Sequence, residues 1–247
     1  RELPITYAYA TNIFYGDFVT LVRGDLQRIS VTTGVVGTLM GVFLGCRYTN
    51  PVTKQLTFSQ YWPASTAAGD AVAIVCDDPD TVFKAAMVSG TTVIASAARC
   101  MIGQNLAAVN NTGSATTGNS ANAVLADTSL ALTAALPIRV MGLVPETAVA
   151  LGTGTYASIS TATVTLASAL SFTPMVGCDV GSLAANGQYI ASGSYVSSVT
   201  NSTTVVLNAA PLVAFASGAT IVFTQYPEVL VKINFGLHKY YAGTAVA

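Results

Sequence analysis

An all-β fold is the class this sequence predicts, and three observations predict it. Apolar and polar residues alternate with a period of two through most of the patterned stretches. Glycine, proline and asparagine punctuate those stretches at short intervals. The chain of 247 residues is 52% hydrophobic yet only 9% charged, where an average soluble domain carries about 25%. The expected architecture is a barrel-like domain with one short helix, plus an inserted small β-sandwich-like domain.

The elements follow in order. Asp17–Val22, Leu26–Val31, Gly41–Cys46, Leu56–Trp62, Ala71–Cys76 and Pro137–Val144 read as strands. In Leu56–Trp62 the alternation places Leu56, Phe58 and Trp62 on one face. Near the C-terminus Val229, Val231, Ile233 and Phe235 alternate with Leu230, Lys232 and Asn234. One helix is expected, capped by Thr91 or Thr92, carrying Val93, Ala97 and Cys100 on one face and ending at Gly103. Asn110–Asn122 is a small-polar surface loop. Phe14 and Phe18 are expected in the core, and Arg1–Tyr9 as an extended arm over a neighbouring subunit.

Charge marks a boundary. Between Glu146 and Glu228 the only charged residue is Asp179. Thr163–Leu166, Tyr195–Val199, Thr204–Leu207 and Thr220–Phe223 are the strands expected in that interval, with Gly152-Thr153-Gly154 as a turn. A module over 151–224, inserted into a domain made of 1–150 and 225–247, accounts for the break, because surface loops tolerate insertion. Its uncharged surface, with Tyr156, Tyr189 and Tyr195, suits adaptable hydrogen bonding over long-range steering.

The same composition excludes several classes. Ten basic and eleven acidic residues, with pI near 5.7, leave no positive excess for a nucleic acid. The most apolar stretch, from Val35 to Cys46, is too short to cross a membrane as a helix and is broken by Gly37, Gly41 and Gly45. The opening RELPITYAYA has no secretory apolar core. A mean hydropathy of +0.57 excludes a disordered chain. Low surface charge suits a protein packed against neighbours.

Candidate chemistry is sparse. Asp77, Asp78 and Asp80 are the densest carboxylates, but lack the ligand alternation of a calcium loop; Asp78 before Pro79 reads as a turn cap. His238 is the only histidine and has no nucleophile elbow or paired carboxylate beside it. Glu2, Glu146 and Glu228 show no glycosidase-like pairing. Cys46, Cys76, Cys100 and Cys178 are widely spaced and expected as buried free thiols. Asn110-Asn111-Thr112 and Asn201-Ser202-Thr203 are read as turns. No catalytic, cofactor or metal residue is assigned, and no enzyme activity is expected.

Several segments resemble the capsid cement, or decoration, proteins of tailed-bacteriophage heads. They are NIFYGDFVTLV (Asn12–Val22), GVFLGCRYTNPVTKQLTFSQYWPA (Gly41–Ala64), AVAIVCDDPDTVFKA (Ala71–Ala85), TTGNSANAVL (Thr116–Leu125), LPIRVMGLVPET (Leu136–Thr147) and EVLVKINFGLHKY (Glu228–Tyr240). The intervening MVGCDVGSL (Met175–Leu183), IASGSYVSSVTNSTTVVLNAA (Ile190–Ala210) and SGATIVFT (Ser217–Thr224) are similar to β modules of phage fibre and other virion proteins. The resemblance implies a structural virion protein on the outer capsid surface. It would bind the major capsid protein and bridge neighbouring capsomers, as a homo-oligomer with a trimer ahead of a dimer. Capsid contact is expected from Arg1–Tyr9 and Asn110–Asn122, with the insert facing outward or touching neighbouring copies. A tail fibre or receptor-binding role is the alternative, motivated by the insert.

Overall fold

The computed structural model describes residues 1–29, 38–89, 93–97, 99–126, 136–174, 176–183, 190–212 and 218–241. The protein is all-β. Its first sheet comprises β1 (Glu2–Pro4), β2 (Phe18–Val22), β3 (Asp25–Arg28), β4 (Gly41–Thr49), β5 (Leu56–Ser59) and β6 (Val72–Cys76). The order is β1-β6-β4-β2-β3, with β5 on the far part of β4. A parallel bridge from Ile5 to Leu26 then joins the two ends, so the sheet closes into a small barrel. Leu3, Val19, Leu26, Phe43, Trp62 and Val75 fill it, and Trp62 meets Tyr48 edge-on at 5.4 Å.

A second sheet holds β7 (Phe83–Ser89), β8 (Val93–Ile94), β9 (Asn105–Leu106), β10 (Ala108–Val109), β11 (Ala123–Leu125) and β12 (Ile138–Leu143). The chain then leaves for the module built by β13 (Val149–Ser160), β14 (Thr163–Leu166), β15 (Asp179–Leu183), β16 (Val196–Asn201), β17 (Thr204–Leu207) and β18 (Thr220–Gln225). It returns as β19 (Glu228–Ile233), between β7 and β12. The second sheet runs β10-β11-β7-β19-β12-β9. Its end strands, β9 and β10, are consecutive pieces of one stretch through Ala107, so this sheet also closes. Met87, Leu106, Val124, Ile138, Val140 and Val231 form its core. Phe18, Leu39 and Val42 from the first barrel are buried in that same cluster, which fuses the two barrels through an apolar seam.

The inserted strands pair only with one another among the described residues, in the order β15-β18-β13-β14-β17-β16. β13 pairs first with β18 and then with β14, so the sheet doubles over along this one strand. Hydrogen bonds from Val180 N to Ser194 O and from Val196 N to Cys178 O, both 2.9 Å, join β15 to the approach of β16 and close the ring. Val164, Leu166, Val205, Leu207, Ile221 and Phe223 are the core of this module.

Local expectations are corrected in five places. Gly152-Thr153-Gly154 is no turn but lies inside β13, at a bulge between Ala150 and Gly152. The helix expected before Gly103 is instead strand β8 followed by a single 3-10 turn, Arg99–Met101; Thr91 and Thr92 lie outside the described residues. The segment pairs with β7 through Val88–Ile94 and Ser89–Val93, and the Ala95 amide donates to Met87 O, so its backbone bonds go to a neighbouring strand and not along a helix. Arg1–Tyr9 is no free arm: β1 pairs with β6, and Leu3 and Ile5 are buried. Leu56 and Phe58 do not share Trp62's environment, because the chain leaves the strand after Ser59; Trp62 is fully buried while Phe58 is 71% exposed. Tyr156 and Tyr195 are buried, not surface residues, and Tyr189 falls outside the described residues.

Candidate binding surface

The residues weighed for chemistry are occupied with structure. Asp78 accepts from the Asp80 amide at 3.0 Å and from the Thr81 hydroxyl at 3.1 Å, the turn cap its position suggests. Asp77 accepts from the Tyr240 hydroxyl, and Asp80 pairs with Lys232 at 3.1 Å. Among the described residues no three His, Cys, Asp or Glu side chains are grouped to hold a metal ion. His238 is fully buried, and its Nδ1 accepts from the Tyr240 amide at 3.3 Å. Burial holds its pKa below the ordinary histidine value, which keeps the ring neutral near pH 7. Glu2 pairs with Arg47 at 2.9 Å and Glu228 with Lys84 at 2.7 Å.

Cys46, Cys76 and Cys178 are free thiols. Burial pushes Cys46 and Cys178 up to about 12, so neither supplies a thiolate nucleophile. Cys76 is only partly buried. Asn201 accepts from the Thr203 amide and hydroxyl at 2.9 Å, capping the β16–β17 hairpin as a turn residue.

The loop 110–122 lies against the first barrel. Arg28 donates to Asn111 O and to Asn122 Oδ1, and Asn110 Nδ2 donates to Ile29 O. Ser120 donates to Asp17 at 2.5 Å, and Tyr15 bridges Asn119. These bonds spend much of the loop's polar capacity inside the molecule.

What remains open is apolar. The outward face of the first barrel presents Leu44 from β4, Phe58 from β5 and Ile74 from β6, with Tyr15 beside them. They line a hollow of about 460 Å³ with Ser59 and Gln60. A second hollow of about 290 Å³ adjoins it through Tyr15 and Leu44, and reaches the seam at Phe83 and Val231. Leu56 and Val52 stand exposed at the β5 end. Period-2 reasoning missed this face because it assumes one wet side per strand. Leu44 and Ile74 are apolar at positions where alternation leads one to expect polar residues, and that was the readable signal. Comparison of the chain with protein-family models, with curated proteins and with solved structures yields no match.

Proposed function

We propose that this chain is a structural virion protein that docks on the outer surface of an assembled phage head and stabilises it by bridging neighbouring capsomers. The observation that carries the reading is the uncharged apolar face of Tyr15, Leu44, Phe58 and Ile74 on a chain that is 9% charged. A large exposed side chain gains about 1.5–3 kcal/mol on full burial, so a few such anchors make a modest contact. Repetition over many symmetric copies turns that contact into firm attachment, and binding only the assembled shell stabilises it by mass action. The major capsid protein is the partner in this reading, and the protein is a homo-oligomer, a trimer ahead of a dimer. In this reading the docking face takes the place of Arg1–Tyr9, where Leu3 and Ile5 are used internally and Tyr7 is the one large apolar side chain that stands well exposed.

The test is cosedimentation with heads stripped of this protein. Wild type should pellet with them at copy numbers matching capsomers, while Phe58→Asp and Ile74→Asp should stay in the supernatant with unchanged melting temperatures. A few copies per particle, confined to tails, would overturn the proposal in favour of a fibre or receptor-binding role.

A further inference from the structure

We propose that the cleft where the inserted barrel meets the Arg99–Met101 turn is a binding site for a neutral polyhydroxyl ligand the size of one saccharide ring. Asp179, the only charged residue between Glu146 and Glu228, forms its wall. Its side chain is 15% exposed, and its Oδ1 is enclosed with no hydrogen-bond partner among the described residues. The other oxygen stands 3.6 Å from Arg99 Nε, within ion-pair reach but too far for a hydrogen bond. A desolvated carboxylate without hydrogen bonds is an acceptor in need of donors. Burial accordingly holds its pKa above the usual carboxylate value.

The surroundings select the ligand class. The cleft encloses about 240 Å³ and is lined by Arg99, Ser192, Thr224 and Tyr226 around Asp179. That is below the roughly 300–1,000 Å³ of pockets for drug-sized molecules, so it suits a single ring. A metal cation is opposed by the guanidinium and finds no second carboxylate among the lining residues. A free anion is opposed by Asp179. Arg99 is 57% exposed, so its pull on a free carboxylate is screened by water, which also disfavours a zwitterion. Neighbouring hydroxyls fit both partners: one donates to Asp179 Oδ2, the carboxylate oxygen that faces Arg99, and the next accepts from Arg99. Serine, threonine and tyrosine supply further neutral donors and acceptors.

The position is built rather than accidental. Gly177 takes φ +87°, and a Cβ there would come within 2.6 Å of Ser96 O, so only glycine lets the module approach the body this closely. Tyr195 is buried with Ala97 and Met101 in the second barrel's core. Those contacts hold Asp179 opposite Arg99.

Amide chemical shifts of the isolated full chain, titrated with free glucose, galactose and N-acetylglucosamine, test the site. Glycine and calcium chloride are the zwitterion and cation probes. At tens of millimolar, where a Kd of about 1 mM saturates, at least one sugar should shift Gly181, Ser192, Gly193 and Thr224. Arg99→Ala and Asp179→Asn should each weaken that sugar at least about tenfold while leaving distant amides in place. Arg99 is exposed, so its variant keeps the test decisive should the other unfold. No cleft shift with any sugar, sugar shifts that survive Arg99→Ala, or cleft shifts from glycine or calcium alone would each overturn the proposal. Head binding is measured separately, so this result leaves the docking reading untouched.

Discussion

At the residue scale a buried ion pair within the first barrel organises its contact with the loop 110–122, because Arg28 also donates to Asn111 O and Asp17 also accepts from Ser120. Asp17 Oδ2 lies 2.8 Å from Arg28 Nε and also accepts from the Phe14 amide at 2.8 Å. Burial raises the Asp17 pKa despite these partners, so desolvation outweighs them. Breaking such a pair from one side leaves a bare buried charge, and Arg28→Ala should cost about 3–5 kcal/mol in denaturant unfolding. In sequence Asp17 looked like nothing more than the first residue of a strand. Its partner Ser120 is remote along the chain, and no local pattern marks such a contact. Asp179 gives the pH prediction at this scale. Its folded pKa is raised, so the native state binds the proton more readily than the unfolded chain does. Wild type should therefore gain stability relative to Asp179→Asn as pH falls from 7 towards the unfolded carboxylate value of about 3.9. Melting temperatures of the pair across that range check the sign; a gap that stays constant would refute it.

At the scale of elements, strands with regular alternation were legible, and so were β4 and β12 despite a glycine at the bulge of each, but β13 with its paired glycines was not. β14 and β17 fall at Thr163–Leu166 and Thr204–Leu207, as their patterns indicated. The longest strand, β13, was hidden because Gly152 and Gly154 imitate a turn. Gly152 sits at φ +141° on the bulge, and a Cβ would come within 2.6 Å of the Phe172 ring. Gly152→Ala should thus combine backbone strain with a clash, each of order 1–3 kcal/mol. Phe172→Ala on the same chain removes the clash but keeps the strain. Thermal unfolding of the two single variants and the double should show less than additive loss; strict additivity would mean that the ring and the bulge are independent. The short β8 through β11 were also unreadable, since strands of two or three residues carry no period.

For the whole molecule, the charge gap from Glu146 to Glu228 was enough to locate the extra strands, because composition survives where periodicity is weak. It could not reveal that the remainder forms two closed sheets joined by Phe18, Leu39 and Val42, since those residues face out of one sheet to enter the core of another. Deleting 149–225 and bridging the ends with a short Gly-Ser link should leave both sheets folded, as circular dichroism and resistance to proteolysis would show. Loss of buried Tyr195 should lower stability by about 1.5–3 kcal/mol. The shortened protein should still pellet with heads, because Tyr15, Leu44, Phe58 and Ile74 all lie outside the deletion. Light scattering of the intact protein should report an oligomer; a monomer at micromolar concentration would contradict the assembly proposed.

Val149 and Gln225 are cross-strand partners where the chain enters and leaves the inserted barrel. The two crossings therefore sit side by side, and the body meets the same pair of neighbouring ends whatever is threaded between them. In genetic terms this is a cassette boundary. Recombination that swaps the DNA between these two codons can replace one inserted module with another without rebuilding the two sheets on either side, provided the newcomer also begins and ends on adjacent antiparallel strands.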